Sequence, residues 1–452
     1  MIQPMTLTMA AQTFGGTLMY PDCEFSAVST DSRQIHEGEV FVALRGERFD
    51  AHNFLPDVAT RASGMVVEYA DRDINLPQWV VPDTTVALGQ LALLNRRRFH
   101  GPVVAITGSS GKTTVKEMVA AILGECGSVL ATKGNLNNQI GVPLTLLSLT
   151  AKHRFAVIEM GASGPSEISY LCSLAKPDVV LVNNVLPAHV SGFGSLEGIA
   201  SAKGEIYSGV CSEGTAVINL DESWAPQWRA ATLARVVSYS LVSESADFYA
   251  KAMVPDPQGC FSFVLVTPVG EAAVQLAVSG RHNVANALAA AACAHAAGAD
   301  LGAVAAGLNK VRAVPGRLHR QMLATGGTLI DDTYNANPGS VKAAVDTLMT
   351  ISGKQILVLG DMGELGDDEA ALHGEVGRYA ADKGVGHLLA VGPLSINTVR
   401  EFGEGAEHLD SKEQLLERLK SLLDKDAVVL VKGSRFMAMD AVVKMITELG
   451  EH

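Results

Sequence analysis

The chain has 452 residues, of which 48% are hydrophobic and 5% aromatic, enough for about two to four domains with cores of their own. Acidic residues outnumber basic ones by 48 to 35 and give a net charge of −13, which argues against a nucleic-acid-binding protein because such proteins carry a basic footprint. Six cysteines are scattered without a C-x-x-C pair, so neither a zinc site nor a disulfide framework is indicated, and reduced thiols in a cytoplasm are favoured.

Two segments of the sequence bear on the location of the protein. The N-terminus, MIQPMTLTMAAQTFGG, has no basic segment followed by an apolar core, so we expect no signal peptide. The alanine-rich stretch 285–308 is interrupted by His295, Asp300 and three glycines, and alanine contributes little to membrane insertion. We therefore expect buried helices there, no membrane span, and a cytoplasmic protein.

Three units follow one another along the chain. Residues 1–100 combine short β-like runs with a helical pattern near 86–99 and predict a smaller N-terminal α/β domain. Residues 101–314 alternate short apolar runs with helical stretches, which is typical of a parallel sheet covered on both faces. The predicted strands of this unit lie at 102–106, 155–158, 178–182 and 215–218, before a hairpin-like segment at 254–278 and alanine-rich helices.

The third unit, residues 315–452, alternates strands and helices again. Its predicted strands lie at 328–332, 355–359, 387–391 and 427–431. We therefore predict an α/β protein of three domains: the smaller N-terminal domain, a central P-loop domain with a doubly wound, mostly parallel sheet, and a C-terminal Rossmann-like domain.

The segment TGSSGKTT, residues 107–114, is a glycine-rich turn between an apolar strand and a helical pattern. Glycines let backbone N–H groups approach phosphate oxygens, Lys112 reaches terminal phosphates, and Thr113 offers a hydroxyl to Mg²⁺. The pattern predicts nucleotide binding by Gly108, Ser109, Ser110, Gly111, Lys112, Thr113 and Thr114. The alternative is a glycine-rich loop without a nucleotide. The motif departs from G-x-x-x-x-G-K-[ST], because Ile106 stands where the first glycine is required.

Three polar side chains follow the loop at positions that suit a ligand site. Glu159 ends a predicted strand, where an acid can hold Mg²⁺ or simply cap the next turn. His189 comes just past the end of the next strand, where open sheets bind ligands, although such a histidine is often structural or exposed. Lys203 by itself is an ordinary helical lysine beside a glutamate.

Three later turns crowd amide, guanidinium or carboxylate groups together, at 280–286, 314–317 and 331–338. Turn chemistry alone explains asparagine and glycine in such places. It explains less well why each cluster lies at a domain edge or after a strand, where a nucleotide clamped between domains would need contacts.

Taken in order, these segments resemble the Mur ligase family, the ATP-dependent amide-forming enzymes of peptidoglycan precursor synthesis. The resemblance covers all three units. It rests on the shortened loop 108–114, the motif 135–143, Glu159, His189, 202–205, 281–286, 315–317 and the cluster at 332–334. Segments 332–340 and 360–366 are similar to those of the family member that joins D-alanyl-D-alanine to UDP-N-acetylmuramoyl-tripeptide, and the D-N-P-R signature of the diaminopimelate-adding member is absent.

The resemblance implies a reaction and a set of residues. ATP phosphorylates the terminal carboxylate of the tripeptide, and the amine of D-alanyl-D-alanine attacks the resulting acyl phosphate. Catalytic roles fall to Lys112, Glu159, His189 and Lys203. Lys203 becomes carbamylated and, with Thr113, Glu159 and His189, forms the Mg²⁺ environment. Further ATP contacts fall to Asn283, Asn286, Arg317 and Asp332, and substrate contacts to Ser32, Arg33, Gly46, Asp50, Asn135, Asn138, Tyr334 and Asn337.

Partners expected from the resemblance are three small molecules, namely ATP, UDP-N-acetylmuramoyl-tripeptide and D-alanyl-D-alanine, acted on by a monomer. The alternatives are another amide ligase of the same fold, adding diaminopimelate, lysine or glutamate, and a P-loop ATPase that turns over ATP without an acceptor. The sequence leaves open whether the third residue of the tripeptide is diaminopimelate or lysine.

Overall fold

The computed structural model of the protein describes residues 1–187 and 190–449. Within these ranges three larger sheets have helices packed against them, and two further sheets have two strands each. The predicted α/β fold class is confirmed. No helix within those described ranges is both long enough and apolar enough to cross a membrane.

The first sheet has five strands within residues 17–80. The strand order is Thr17–Met19, Gln78–Val80, Gly64–Val67, Glu39–Val42 and Ala27–Ser29. The first of these is antiparallel to its neighbour and the others are parallel. The remaining elements of this region are helices Leu7–Phe14, Leu55–Val58 and Thr84–Arg97, the 3₁₀ helix Ala51–Phe54, and the paired strands Met5–Thr6 with Glu24–Phe25 and Arg45–Gly46 with Phe49–Asp50.

The second sheet has nine strands and carries the glycine-rich loop. The strand order is Val129–Ala131, Phe155–Glu159, Val103–Thr107, Val179–Val182, Thr215–Asn219, Arg235–Ser240, Phe248–Pro255, Cys260–Thr267 and Gly270–Ser279. The first seven are parallel, and the last two continue the sheet as the antiparallel hairpin that the sequence predicts. Its helices are Lys112–Gly124, Gly141–Leu147, Glu167–Ala175, Val190–Phe193, Leu196–Ser208, Ala225–Ala230, Arg281–Ala296 and Leu301–Lys310.

The third sheet has six strands. The strand order is His319–Met322, Thr328–Asp332, Ala427–Lys432, Lys354–Gly360, His387–Val391 and Ala406–Leu409. The outer strand His319–Met322 is antiparallel and the rest are parallel. The helices are Pro338–Met349, Glu369–Asp382, Ile396–Phe402, Lys412–Lys420 and Asp440–Glu448, with 3₁₀ helices Gly366–Asp368 and Arg435–Met437.

The central strand of the second sheet shows why its sequence is continuously apolar. Val103 and Ala105 pack into one hydrophobic core, whereas Val104 and Ile106 pack into another on the opposite face. Helices cover both faces, so neither set of alternate residues meets water. Ile106 is fully buried and pairs in register with Glu159. Position 106 therefore belongs to the strand, which is the physical reason why the glycine of the longer motif is absent.

Candidate active site

The glycine-rich loop joins strand Val103–Thr107 to helix Lys112–Gly124. Gly111 caps this helix without a side-chain hydrogen bond, so N–H groups of the first turn stay available to an anion, which the helix dipole also favours. The ammonium of Lys112 folds back and donates to the carbonyl of Gly108 at 2.8 Å. Burial lowers the pKa of Lys112, while nearby Glu159 acts in the opposite direction. The loop thus presents a positive charge and free donors at one end of the sheet.

Both loop glycines are required by their surroundings. Gly111 has a φ of 76°, and a Cβ there would lie 2.6 Å from Nδ2 of Asn183 and 2.9 Å from Oδ1 of Asn286. Gly108 has a φ of 148°, with Asn183 and Asn184 within 3.3 Å of the same added atom. Side chains at either position would be strained and would push the loop away from the neighbouring strand end.

Glu159 is buried at the carboxyl end of the adjacent strand and faces the loop. Its carboxylate accepts a hydrogen bond from the Thr113 hydroxyl at 2.7 Å and another from Nδ2 of Asn137 at 2.8 Å. Nη2 of Arg317 donates to the same Thr113 hydroxyl at 2.9 Å. A hydroxyl, a carboxylate and a guanidinium from three separate segments therefore meet at the start of the loop helix.

Two of the four residues predicted to hold Mg²⁺ lie in contact with each other. Oxygen donors of Thr113 and Glu159 adjoin each other, and Mg²⁺ uses one or two such protein oxygens together with phosphates and waters. The two donors therefore fit Mg²⁺ in a nucleotide-dependent site. Across the described residues, no group of three or more His, Cys, Asp or Glu side chains is placed to hold a metal by itself. His189 lies outside the described residues.

Lys203 is 2% exposed on helix Leu196–Ser208, which is capped at its start by the Ser195 hydroxyl. Burial, and secondly the charge of Lys112, lower the pKa of Lys203 to about 7. Its ammonium lies 5.6 Å from the centre of the Phe193 ring. A lysine with this pKa is largely neutral slightly above neutral pH, and a neutral amine is the nucleophilic form.

The third sheet supplies a second set of charged groups to the same place. Arg317 stacks on the ring of Tyr334, with its guanidinium 4.0 Å from the ring centre. Asp332 forms a buried ion pair with Lys432 at 2.6 Å. The Asp332 carboxylate also accepts from the Leu318 N–H at 3.1 Å, which fixes the turn that carries Arg317.

One cavity of about 610 Å³ joins these groups. The sequence-predicted residues that line it are Ser109, Ser110, Gly111, Lys112, Thr113, Thr114, Asn135, Asn138, Glu159, Lys203, Asn283, Asn286, Arg317, Asp332, Tyr334 and Asn337. Gly108 is not part of the lining, although its carbonyl accepts the hydrogen bond from the Lys112 ammonium. The cavity is large enough for a nucleotide-sized ligand.

Four predicted residues, Ser32, Arg33, Gly46 and Asp50, do not line this cavity and belong to the first unit. Arg33 pairs with its neighbour Asp31 at 2.9 Å and is exposed. Asp50 accepts from both the backbone and the ring of His52, and these hydrogen bonds hold the pKa of Asp50 below its usual range. Their role in binding the substrate stays a prediction.

Several lining residues were not predicted individually. Asn137, which holds Glu159, lies in the quoted motif 135–143 between two predicted residues. Lys432 ends the strand Ala427–Lys432, one residue beyond the predicted strand 427–431. Ligand-facing residues concentrate at the carboxyl ends of parallel strands, so that rule applied to every strand end would have found it. His282 and Arg435 also line the cavity.

A P-loop α/β sheet whose phosphate loop shares a cavity with charged residues of a following α/β unit is typical of an enzyme that transfers a phosphoryl group from a nucleotide. Family models agree with this class: residues 106–294 match the Mur ligase middle domain, and residues 316–435 match the Mur ligase glutamate ligase domain. The chain belongs to the Mur ligase family.

Several relatives match this protein along almost its whole length. UDP-N-acetylmuramoyl-tripeptide–D-alanyl-D-alanine ligase of Escherichia coli K12 is 46% identical over 449 residues, which cover 99% of each chain. A crystal structure of MurF from Acinetobacter baumannii matches with a TM-score of 0.94 at 37% identity, covering 99% of each chain. The MurF ligase of Thermotoga maritima in complex with ADP matches with a TM-score of 0.84 at 28% identity, covering 94% of this chain and 98% of that one.

Proposed function

We propose that this protein is the ATP-dependent ligase that joins D-alanyl-D-alanine to UDP-N-acetylmuramoyl-tripeptide, the last cytoplasmic step in making the peptidoglycan precursor. The observation that carries the proposal is similarity over 99% of the chain to a relative with that name. The continuous cavity between the phosphate loop and the third sheet supports it, because a ligase must hold ATP and acceptor together.

The reaction forms one bond at a time. A carboxylate oxygen of the tripeptide attacks the γ-phosphorus of ATP, ADP leaves, and an acyl phosphate results. The neutral amine of D-alanyl-D-alanine then attacks the acyl carbon; phosphate leaves and the nitrogen loses a proton, giving the amide. Charge on the transferring phosphoryl group must be balanced throughout. Lys112 and Arg317 are the cations beside the loop that suit this task.

Thr113 and Glu159 would hold Mg²⁺, joined by carbamylated Lys203 and by His189. When bound, the metal neutralises phosphate charge. Carbamylation of Lys203 joins its neutral amine to CO₂ with release of one proton and turns a cation into a carboxylate-like ligand. A pKa of about 7 favours this step, because the neutral amine is well populated at neutral pH. Asn137 keeps the Glu159 carboxylate aimed at Thr113.

In this proposal each of the three units binds a different part of the substrates. Residues 1–100 hold the UDP-sugar end of the substrate, residues 101–314 bind ATP, and residues 315–452 bind the incoming dipeptide and close over ATP. Arg317 and Asp332 on the third unit would contact ATP held by the second, so closure would assemble the site. Small-angle scattering that shows no compaction with ATP and substrate bound would count against closure.

Mass spectrometry of the products tests the function directly. ATP, UDP-N-acetylmuramoyl-tripeptide and D-alanyl-D-alanine together should yield the pentapeptide nucleotide with one phosphate released per product. Omission of either UDP-N-acetylmuramoyl-tripeptide or D-alanyl-D-alanine should abolish phosphate release. Product formed from a free diamino acid and the dipeptide-bearing nucleotide would instead identify a diaminopimelate- or lysine-adding ligase. Phosphate release without any acceptor would identify a simple ATPase.

A further inference from the structure

A chain of hydrogen bonds between buried side chains runs from the second sheet to the wall of the cavity. The Tyr239 hydroxyl donates its proton to two oxygens of Asn183, the backbone carbonyl at 3.2 Å and Oδ1 at 3.3 Å. Nδ2 of Asn183 donates to Oδ1 of Asn286 at 3.0 Å, and Nδ2 of Asn286 donates to Oδ1 of Asn283 at 2.8 Å. The last hydrogen bond of this network is donated by Nδ2 of Asn283 to the carbonyl of Ser279 at 2.7 Å.

The hydrogen bonds of this network can point in only one direction, from donor to acceptor. A backbone carbonyl only accepts, so Ser279 requires the NH₂ group of Asn283 to face it. The oxygen of Asn283 then faces Asn286 and requires its NH₂ group, and the same argument passes to Asn183. At the other end Oδ1 of Asn183 is an acceptor for the Tyr239 hydroxyl, which donates to the Asn183 carbonyl as well. The network thereby fixes which atoms of Asn283 and Asn286 remain for a ligand in the cavity.

Asn183 is the branch point of this hydrogen-bond network. Besides Asn286, its NH₂ group donates to the carbonyl of Ser110 in the phosphate loop at 3.0 Å. Asn183 is 4% exposed and does not itself line the cavity. One side chain therefore connects two lining elements, the phosphate loop and the helix Arg281–Ala296, that come from distant parts of the sequence.

We propose that Asn183 is a positioning residue for the nucleotide, oriented by Tyr239, and that it keeps the phosphate loop and the Asn283–Asn286 pair at a fixed separation. The inference rests on the proposed function in that ATP spans both elements. Asn183 acts through Ser110 and Asn286 without touching the ligand. Loss of its amide leaves Oδ1 of Asn286 without its donor, and it removes one of the two amides that donate to the Ser110 carbonyl, the other being that of Asn184. The hydrogen-bonded link between the two elements is thereby broken, and their preformed arrangement is lost.

The experiment measures ADP affinity by calorimetry, which needs no acceptor substrate. Asn183→Leu keeps a similar branched shape without hydrogen bonds and should weaken ADP binding about tenfold or more. Tyr239→Phe keeps the ring, removes only the hydroxyl donor, and should weaken binding about threefold. In the double variant Tyr239→Phe should add nothing further, because its effect passes through Asn183.

Asn95→Leu is the matched control for destabilisation. Asn95 is also a buried asparagine, and its NH₂ group donates to the carbonyls of Leu146 and Leu149 at 2.8 and 3.1 Å, outside the cavity. This variant should lower the melting temperature and leave ADP affinity within twofold of wild type.

Two results would overturn the inference. The first is an Asn183→Leu variant that loses thermal stability as the control does but binds ADP as wild type does. The second is an unchanged ADP affinity in Tyr239→Phe, which decides the matter alone if Asn183→Leu does not fold. The proposed function fails separately, when wild type binds ADP but forms no pentapeptide nucleotide.

Discussion

Glu222 offers a test of how burial controls charge in this fold. It follows strand Thr215–Asn219, and its carboxylate accepts a hydrogen bond from the Val185 N–H at 3.4 Å. Burial, helped by neighbouring Asp221, raises the pKa of Glu222 from 4.5 to about 7. Between these two pH values the folded protein holds a proton that the unfolded chain has released. Stability therefore falls as pH rises from 4.5 to 7, and the full penalty persists above 7.

The size of the penalty follows from the shift. A difference of about 2.5 pKa units at 1.36 kcal/mol each gives roughly 3.4 kcal/mol, and partial exposure of the carboxyl reduces this to about 2 kcal/mol. Glu222→Gln keeps an oxygen for the Val185 N–H and removes the titration. At pH 8 the variant should be about 2 kcal/mol more stable than wild type, and at pH 4.5 the difference should shrink to about 0.4 kcal/mol or less.

Differential scanning calorimetry at the two pH values is the assay. For a unit of about 200 residues, 2 kcal/mol corresponds to a rise of roughly 4–8 °C in the transition that includes the second sheet. Glu244→Gln, which changes an exposed glutamate in the same unit, is the control and should shift nothing at either pH. A Glu222→Gln transition that is no higher at pH 8, or that rises equally at pH 4.5, would refute the reasoning.

Three further predictions concern the proposed chemistry. Lys112→Ala should lower kcat by about 10²–10³ with an unchanged melting temperature, because phosphate charge goes unbalanced; wild-type rates in a phosphate-release assay would refute the loop assignment. Lys203→Ala should lower activity by about 10–100-fold and recover part of it with added short carboxylic acids; a fully active alanine variant would exclude the carbamate role. Arg317→Lys keeps the charge but not the planar group stacked on Tyr334, so the KM for ATP should rise about tenfold; steady-state kinetics showing a change below twofold would contradict a contact with ATP.

Local patterns were sufficient for the order of elements and for the glycine-rich loop. The continuous apolar run at 102–106 predicts a strand covered on both faces, and alternate residues of the strand do pack into two cores. The predicted strand at 328–332 coincides with Thr328–Asp332. The short helix Leu7–Phe14 was not predicted, because eight residues give too little periodicity to separate a helix from other structures.

The sequence by itself determined the family of this protein and about half of the residues that line its cavity, because those residues lie in short motifs at strand and helix ends. Only the tertiary structure decided how the groups pair. Arg317 reaches Thr113 across 204 positions, and Lys432 pairs with Asp332 across 100. The pKa of Lys203 and the orientation of the Asn183 amide depend on burial and on partners from other segments. Desolvation and hydrogen-bond direction are properties of a neighbourhood in space, which sequence spacing does not specify.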